Sequence, residues 1–273
     1  MLQQKPSISI LTGIYNTPDL QILQTAVESI RQQTYTDWEW IICDDGSMDS
    51  TCETIQSLIQ GDHRIRLIHN ETNQGLAASL NHCLNYAKGA YIARMDADDG
   101  CEPCRLEKQV RFLEKHPDYE LVGTAVRLFD DDGIWGKRKM PEIPEKRDFL
   151  WGSPFIHPSI MIRKQALLAV HGYRVAKETR RTEDYDLFMR LYEKGYQGYN
   201  LQEELYDFRE DKKARKRKKY RYRIDEAKVR WKGFWLLGLM PKGVIYVLKP
   251  LIVGLIPYPV LVWLRGEKDR FVP

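Results

Sequence analysis

The sequence predicts an α/β protein with a Rossmann-like, mostly parallel central sheet and helices on its faces. Over the first hundred residues, short apolar runs rich in β-branched residues alternate with longer segments whose apolar residues recur at helical spacing. Strands separated by helices of about 10 to 15 residues are typical of βαβ units and a parallel sheet. In addition, carboxylates stand at the ends of two predicted strands, where open sheets of this kind bind ligands.

These patterns predict the first seven elements in order. The apolar runs predict four strands, at residues 7–15, 38–44, 65–70 and 91–96. Apolar residues at helical spacing predict the three helices between them, at residues 19–33, 47–60 and 75–89. Ser50 and Glu53 match a capping box, which predicts the start of the second of these helices.

The second half of the chain is less regular. We predict extended segments at residues 120–129 and 155–164, with a polar loop at residues 130–148 between them. A short helix is expected after the second extended segment. Residues 182–195 have the apolar spacing of a further helix.

The composition changes sharply near residue 209. Residues 212–223 carry nine basic residues in twelve, and a strongly apolar tail follows them. We therefore predict two units: one α/β domain over residues 1–208, and a basic and apolar, helical C-terminal appendage over residues 209–273.

Bulk composition narrows the class of protein. The chain has 273 residues, a net charge of +4 and a mean hydropathy of -0.50, which fits a soluble globular protein. Its start lacks the long apolar segment of a secretory signal. The five cysteines lack the spacing of a disulfide scaffold, so we expect reduced thiols in a cytosolic protein. The pair in "CEPC", residues 101–104, is half of a zinc motif with no second half.

The most informative stretch is "YIARMDADDG", residues 91–100, in which a predicted strand ends in Asp96, Asp98 and Asp99. Carboxylates this close raise one another's pKa and destabilise the site unless a cation or hydrogen bonds offset them. A calcium loop is disfavoured, because Cys101 stands where such a loop requires glycine. Mg²⁺ typically takes one or two protein carboxylates and completes its shell with water and phosphate oxygens. A divalent ion that bridges a diphosphate and a solvated acidic loop both remain open.

A second pair of carboxylates, Asp44 and Asp45, follows the second predicted strand in "CDDGSMDST". Because the carboxyl ends of parallel strands lie at one edge of the sheet, both acidic turns are expected to converge there. The sequence lacks the glycine-rich phosphate loops of P-loop NTPases and of dinucleotide-binding domains. A bound nucleotide would therefore be held by carboxylates, a metal and contacts to the base.

Six stretches in this order resemble the inverting family 2 glycosyltransferases of GT-A fold: "SILTGIYN", "CDDGSMDST", "NQGLAASLN", "RMDADD", "HPSIMIRK" and "TEDYDLFMRL". The resemblance covers about residues 7–206, and the joint order is more specific than any one motif. It implies that residues 1–208 form the glycosyltransferase domain. One departure is Gly13, which stands where the family commonly has proline.

The resemblance also implies roles for the acidic strand ends. Tyr15 and Asp44 or Asp45 would contact the uridine of a UDP-sugar, and a carboxylate suits the N–H of a uracil edge. Asp96 would contact the ribose or the metal, and Asp98 would bind the metal, Mn²⁺ or Mg²⁺. A core tyrosine and an ordinary Asp-Gly turn are the structural alternatives for these residues.

The candidate catalytic base is Asp184. In a helix that begins near Thr182, Asp184 would share one face with apolar residues, whereas Asp186 would lie about 200° away. Thr182 is a suitable N-cap, and the helix dipole favours an ionised carboxylate in the first turn. An acidic first turn that only stabilises the helix is the alternative. His157 could reach the diphosphate or the metal, or be a structural histidine.

The C-terminal appendage predicts attachment to a membrane surface. The longest uncharged run, residues 250–264, has 15 residues and three prolines, whereas a membrane-spanning helix needs about 20 predominantly apolar residues. The basic stretch before it would be attracted to anionic headgroups. We expect peripheral attachment to the cytoplasmic face of the cell membrane, with a helical pair packed on the domain as the alternative. No RNA-binding motif accompanies the basic run, so no nucleic-acid partner is expected.

These expectations combine into one predicted function. The chain would transfer one sugar from a UDP-sugar to a hydroxyl of a saccharide acceptor, expected to be lipid-linked, during polysaccharide biosynthesis. Related processive synthases carry Q-x-x-R-W after the base; here Ala227 replaces the glutamine, which favours one sugar per binding event. The alternatives are a non-catalytic nucleotide-sugar-binding protein and a basic RNA-binding protein.

Overall fold

The computed structural model describes residues 6–17, 19–211 and 219–256. Within these residues, nine strands form one sheet: β1 (Ile8–Ile14), β2 (Trp38–Asp44), β3 (Ile65–His69), β4 (Tyr91–Arg94), β5 (Gly100–Cys101), β6 (Leu121–Asp130), β7 (Gly133–Arg138), β8 (Met161–Arg163) and β9 (Gly198–Arg209). Eight α-helices accompany them: α1 (Leu20–Arg31), α2 (Thr51–Ile59), α3 (Leu76–Tyr86), α4 (Arg105–Lys115), α5 (Lys164–Ala169), α6 (Glu183–Glu193), α7 (Tyr220–Leu236) and α8 (Val244–Leu255).

The strand order is β3-β2-β1-β4-β8-β6-β9-β5, with β7 paired to β6 beside this path. Strands β3, β2, β1 and β4 are parallel, and so are β6 and β9. Strand β8 joins the two groups by antiparallel pairing with β4 and β6. The predicted α/β class with its central sheet is confirmed. Parallel order in the first half brings the carboxyl ends of β1, β2 and β4 to one edge of the sheet.

The first helix shows how the sequence builds these layers. The carboxylate of Asp19 accepts hydrogen bonds from the backbone N–H of Gln21 and of Ile22, at 2.9 and 3.2 Å, and so caps α1. The buried residues of α1 recur at i, i+3, i+4 and i+7, which is the spacing of one helical face: Leu23, Ala26, Val27 and Ile30. That face packs into the core beside β1 and β2.

Two local predictions are wrong. The side chain of Ser50 caps nothing; instead Asp49 accepts a hydrogen bond from the backbone N–H of Thr51 at 3.0 Å. The predicted polar loop at residues 130–148 contains β7, which forms an antiparallel hairpin with β6. Strand β7 lies at the periphery of the sheet and is exposed or half-buried along its length, so it carries little of the apolar signal that predicts a strand.

Strand β9 is the largest element that sequence periodicity missed. It spans 12 residues and pairs with β6, yet it contains acidic residues that are unfavourable in strands. Ion pairs from neighbouring elements compensate these charges. Three ion pairs involve acidic residues of the strand: Lys108 with Glu203, Lys137 with Glu204, and Arg127 with Asp207.

The first part of the C-terminal appendage packs on the domain. Ala227, Val229 and Phe234 of α7 join the same hydrophobic core as helix α6, and Val247 of α8 extends it. Arg230 is buried and donates a hydrogen bond to the backbone oxygen of Leu150 at 2.9 Å. Most of the basic run and the end of the tail, residues 212–218 and 257–273, lie outside the described residues. Among the helices described, none has both the length and the apolar character needed to cross a membrane.

Candidate active site

An inner cavity of about 520 Å³ opens at the carboxyl ends of β1, β2 and β4. Its lining combines an exposed aromatic ring, carboxylates and a guanidinium. It contains Gly13, Ile14, Tyr15, Thr17, Asp45, Asn73, Gly75, Leu76, Ser79, Asp96, Ala97, Asp98 and Arg181. The topology therefore brings four of the predicted site residues to one cavity: Tyr15, Asp45, Asp96 and Asp98. Tyr15 is 43% exposed, so it is not a core tyrosine.

The three aspartates after β4 form a tight cluster. One carboxylate oxygen from each of Asp96, Asp98 and Asp99 lies within 4.8 Å of the others. Asp98 is exposed to the cavity, but the protein around it partly desolvates its carboxylate, which raises the pKa of Asp98; the charge of Asp96 raises that pKa further. Protonation or a bound cation would relieve the repulsion. Exposed carboxylate oxygens are the ligands that Mg²⁺ and Mn²⁺ prefer.

Asp99 differs from its two neighbours because its oxygens are already occupied. It is buried, and it accepts hydrogen bonds from the hydroxyl of Tyr206 at 2.8 Å and from the backbone N–H of Arg209 at 2.7 Å. Burial raises the pKa of Asp99 well above its usual range, and the charges of Asp96 and Asp98 add to the shift. Asp99 therefore ties the aspartate turn to β9, and Asp96 and Asp98 remain as the carboxylates that face the cavity.

A buried arginine holds Asp96 in place. Arg94 is 2% exposed, and its guanidinium donates hydrogen bonds to Oδ1 of Asp96 and to the backbone oxygens of Leu11 and Met95. A second contact comes from Tyr206, whose hydroxyl accepts a hydrogen bond from the backbone N–H of Asp96 at 3.1 Å. The position of the Asp96 carboxylate is thus fixed before any ligand binds.

Asp44 and Asp45 are both 4% exposed, but their surroundings differ. Asp45 accepts hydrogen bonds from the backbone N–H groups of Gln74 and Gly75, at 3.0 and 2.7 Å, and from the side chain of Asn70 at 2.7 Å. It therefore holds the loop before α3, which lines the cavity. Asp44 accepts a single backbone hydrogen bond, from the N–H of Ser47 to Oδ1 at 3.2 Å.

Helix α6 does not have the single buried face that its sequence spacing predicts. Asp186, expected opposite the apolar face, is buried, and its oxygens accept hydrogen bonds from Arg174 and Arg190 at 2.9 and 2.7 Å. Most of α6 is buried, because the helix lies between the sheet and α7. A single inward face therefore does not distinguish Asp184, which is half-buried. Thr182 precedes the helix, but its side chain makes no capping hydrogen bond.

His157 belongs to a buried network. Its Nε2 lies 2.8 Å from the hydroxyl of Tyr173, and burial together with the charge of Arg94 lowers the pKa of His157 well below its usual range. The ring is therefore neutral at pH 7. Burial raises the pKa of Tyr173, and the charges of Asp184, Glu183 and Asp96 raise it further. The charges of the predicted base and of the aspartate turn thus act on the same hydroxyl, that of Tyr173.

An outer cavity of about 970 Å³ adjoins the inner one. The two share Tyr15, Asn73, Gly75, Leu76 and Arg181. The remaining lining of the outer cavity comes from α3, from the segment before α6 and from the start of α7: Gln74, Ala77, Val175, Ala176, Lys177, Thr179, Arg180, Glu183, Arg221, Tyr222 and Asp225.

Sequence reasoning missed the outer cavity. Arg181 has a backbone φ of 70°, an uncommon conformation for a residue other than glycine, and it stands where the two cavities meet. Its guanidinium lies 5.9 Å from the ring centroid of Tyr222. This contact depends on the packing of α7 against the segment before α6, which no local spacing reveals.

Known proteins resemble this chain in sequence over most of its length. The sequence model of the family described as Glycosyl transferase family 2 matches residues 9–172. EpsE of Bacillus subtilis strain 168, named as a glycosyltransferase, is 47% identical over 257 residues, which cover 94% of this chain and 92% of EpsE. The amylovoran biosynthesis glycosyltransferase AmsE of Erwinia amylovora is 29% identical, with 96% of this chain and 98% of AmsE covered.

Solved structures share the fold at low sequence identity. Residues 1–349 of S. aureus TarS in complex with UDP-GlcNAc superpose with a TM-score of 0.67 at 16% identity, covering 83% of this chain and 66% of that one. The chain spans 39% of a longer TarS structure. The mannosyltransferase PcManGT from Pyrobaculum calidifontis, in complex with GDP-Man and Mn²⁺, gives a TM-score of 0.63 at 17% identity, covering 98% and 81% of the two chains. On these matches, the chain belongs to glycosyl transferase family 2.

Proposed function

We propose that the chain is an inverting glycosyltransferase that transfers one sugar from a UDP-sugar to a hydroxyl of a saccharide acceptor in polysaccharide biosynthesis. The observation that carries this proposal is the inner cavity, in which Tyr15, Asp96 and Asp98 meet at the carboxyl ends of the parallel strands. The names of two relatives support the substrate classes, since AmsE is an amylovoran biosynthesis enzyme and TarS binds UDP-GlcNAc.

Asp98, with Asp96 beside it, is the proposed ligand set for Mn²⁺ or Mg²⁺. Their donor atoms are oxygens that lie within 4.8 Å of each other, and Asp98 is exposed at the cavity. The Mn²⁺ in the PcManGT complex supports this choice. When bound, such an ion neutralises charge that develops on the departing diphosphate. His157 already contacts Tyr173, so we leave it out of the proposed ligand set.

The uridine is proposed to lie between Tyr15 and Asp44. The Tyr15 ring is exposed at the cavity and offers an apolar face to a base. Asp44 stands at the end of β2, next to the cavity-lining Asp45. Its Oδ2 lies 3.6 Å from Nδ1 of His69 and accepts no hydrogen bond from the described residues, so it would accept the N–H of a uracil edge. Asp45 has both oxygens occupied by the loop before α3, so its proposed contribution is to position that loop.

Asp184 is the proposed general base. It stands in the first turn of α6, where the helix dipole favours a carboxylate that is ready to accept a proton at pH 7. In this proposal, Asp184 removes the proton from the acceptor hydroxyl while that oxygen attacks the anomeric carbon from the face opposite UDP. The neighbouring Glu183 lines the outer cavity, and burial raises its pKa, so it is the rival carboxylate that an experiment must distinguish.

The outer cavity is the proposed acceptor site. Four basic side chains line it, which favours an acceptor that carries negative charge: Lys177, Arg180, Arg181 and Arg221. A saccharide on a lipid diphosphate has that charge, and its phosphates would suit the planar donors of arginine. The acceptor would then be presented at the cytoplasmic face of the membrane.

Helices α7 and α8 offer a surface for peripheral membrane attachment. Exposed apolar residues of α8 recur at i, i+3, i+7 and i+10, the spacing of one helical face: Ile245, Leu248, Ile252 and Leu255. Trp231 and Trp235 of α7 are 48% and 60% exposed. Aromatic and aliphatic side chains of this kind enter the headgroup region, and the basic run at residues 212–223 would add attraction to anionic lipids.

One experiment tests the core of the proposal. The purified chain is screened for thermal stabilisation by UDP-glucose, UDP-galactose, their N-acetyl forms and GDP-mannose, each with and without Mn²⁺. The stabilising donor is then supplied with a membrane lipid extract, and UDP release and sugar incorporation are measured. Manganese-dependent stabilisation by a UDP-sugar followed by transfer supports the proposal, whereas stabilisation without any UDP release favours a binding protein.

A further inference from the structure

A second group of candidate metal ligands lies beside the inner cavity and has no role in the function proposed above. Asp44 ends β2, His69 ends β3, and the two residues are direct partners in the parallel register. Cys52 lies in the first turn of α2. One donor atom from each residue lies within 4.8 Å of the other two, so three different ligand types converge on one point.

The distances within this triad approach those of a metal site. Oδ2 of Asp44 lies 3.6 Å from Nδ1 of His69, and Sγ of Cys52 lies 3.9 Å from the same nitrogen. Zinc bonds of about 2.0 Å to nitrogen or oxygen and about 2.3 Å to sulfur place tetrahedral ligands roughly 3.3 to 3.6 Å apart. The two distances to Nδ1 of His69 are therefore within a few tenths of an ångström of zinc geometry, and the third, between Asp44 and Cys52, is at most 4.8 Å.

An incompletely paired, buried carboxylate points to a ligand at this position. Asp44 is 4% exposed, and its Oδ1 accepts one hydrogen bond, from the backbone N–H of Ser47. In the part of the chain that the structure describes, no donor lies within hydrogen-bonding distance of its Oδ2, which faces His69. Because this oxygen faces the imidazole of His69 and the thiol of Cys52, it is suited to bind a cation together with them.

We propose that Asp44, Cys52 and His69 form a zinc-binding site with a fourth position open to solvent. Carboxylate, thiolate and neutral imidazole balance the charge of one Zn²⁺. A cysteine thiol, with an ordinary pKa of about 8.5, is mostly protonated at pH 7. Binding then forms the zinc–sulfur bond and releases the thiol proton to solvent. The side chain of His69 is about half exposed, which leaves the site accessible.

This site overlaps the proposed uridine pocket, because both use Oδ2 of Asp44. Zinc and UDP would therefore exclude each other, and micromolar zinc would inhibit the transferase. This consequence rests on the proposed function, whereas zinc binding itself does not. The two statements can therefore fail separately.

Cobalt(II) is the first probe, because a cysteine thiolate gives bound Co²⁺ a near-ultraviolet charge-transfer band. The full-length protein is titrated with Co²⁺ and then with Zn²⁺, which should displace the cobalt and bleach the band. Asp96 and Asp98 offer only oxygen ligands, so cobalt bound there does not give the band. Cys52→Ser should abolish it, and the matched variant Cys104→Ser should keep it. Absence of the band in the unaltered protein, or its survival in Cys52→Ser, would overturn the proposal.

Two further measurements complete the test. Zn²⁺ affinity, measured by competition with a chromogenic chelator, should fall at least about tenfold in His69→Gln and stay unchanged in His63→Gln. UDP affinity should then be compared with and without Zn²⁺. Zinc should weaken UDP binding to the unaltered protein but not to Cys52→Ser. A cobalt band together with unchanged UDP binding supports the metal site and overturns the shared use of Asp44.

Discussion

Arg94 lies buried beneath Asp96 and donates a hydrogen bond to the carboxylate that faces the inner cavity. The same guanidinium also donates to the backbone oxygens of Leu11 and Met95, at the ends of β1 and β4. One side chain therefore connects two strand ends to the aspartate cluster. The preorganisation of Asp96 depends on a residue that the cavity does not expose.

Removal of this arginine should destabilise the protein. Arg94→Met leaves Asp96 without its cationic partner, and loss of one partner of a buried ion pair costs about 3 to 5 kcal/mol. Asp96 is partly exposed, so we expect the lower end of that range. The free energy of unfolding should be measured in urea. Arg111→Met, which breaks an exposed pair with Glu107, should change it by less than about 1 kcal/mol.

Loss of the proposed metal ligand should abolish metal-dependent donor binding. Asp98→Asn keeps the shape of the side chain but removes its charge, so calorimetry in Mn²⁺ should show at least about a tenfold loss of UDP-sugar affinity. Asp118→Asn changes an exposed acid outside the cavity and should bind normally. Equal manganese-dependent affinity in Asp98→Asn would contradict the assignment.

Kinetic measurements on single variants should distinguish the roles of the two carboxylates at the start of α6. Asp184→Asn should keep the dissociation constant of the UDP-sugar within about twofold and lower kcat by about 100-fold or more, because a general base acts only in the transfer step. Glu183→Gln is the matched variant and should retain most of kcat. If Glu183→Gln lost turnover and Asp184→Asn kept it, the base would be Glu183.

The buried carboxyl of Asp99 should make stability depend on pH. Its pKa is raised in the folded state, so the folded protein binds more protons than the unfolded chain above about pH 4. The protonated carboxyl of Asp99 therefore contributes its full stabilisation below about pH 4. This contribution is lost as the pH rises through the pKa that Asp99 has in the folded state. Asp99→Asn should reduce the fall in melting temperature between pH 5 and pH 8, measured without divalent metal. An identical pH profile in this variant would show that Asp99 is not responsible.

The exposed face of α8 should govern vesicle binding. The double variant Ile245→Ser and Leu248→Ser should reduce flotation with anionic phosphatidylglycerol vesicles, whereas Leu168→Ser, an exposed leucine of α5, should not. Deletion of residues 209–273 is a poorer test, because it would remove core residues such as Phe234. Unchanged flotation of the double variant would argue against attachment through this face.

Local periodicity was sufficient for most of the fold. β2 matches its predicted bounds, and the first four strands lie in the expected parallel order. The apolar signal is strong because β1, β2 and β4 are mostly buried on both faces. β9 could not be found this way, since distant partners such as Lys108 and Arg127 neutralise its acids. Sequence can detect an apolar run, but it cannot show which charges will meet.

The same limit applies to the candidate site. The cluster of Asp96 and Asp98 follows from their position after β4, and the structure brings Tyr15 to the same cavity. The difference between Asp44 and Asp45 was not predictable, because it depends on which carboxylate the loop before α3 reaches. The expected solvent-facing side of α6 was also wrong, because ion pairs with Arg174 and Arg190 hold Asp186 in a buried position.

Much of the lining of the outer cavity comes from residues that follow the segment matched by the family model. The family match ends at residue 172, whereas much of this cavity is lined by residues 175–183 and 221–225. The aspartate turn lies inside the matched segment. If the outer cavity is the acceptor site, as proposed, acceptor preference is expected to diverge between relatives through the last third of the chain while the proposed donor site stays constant. A chimera joined near residue 172 should inherit its donor from one parent and its acceptor from the other.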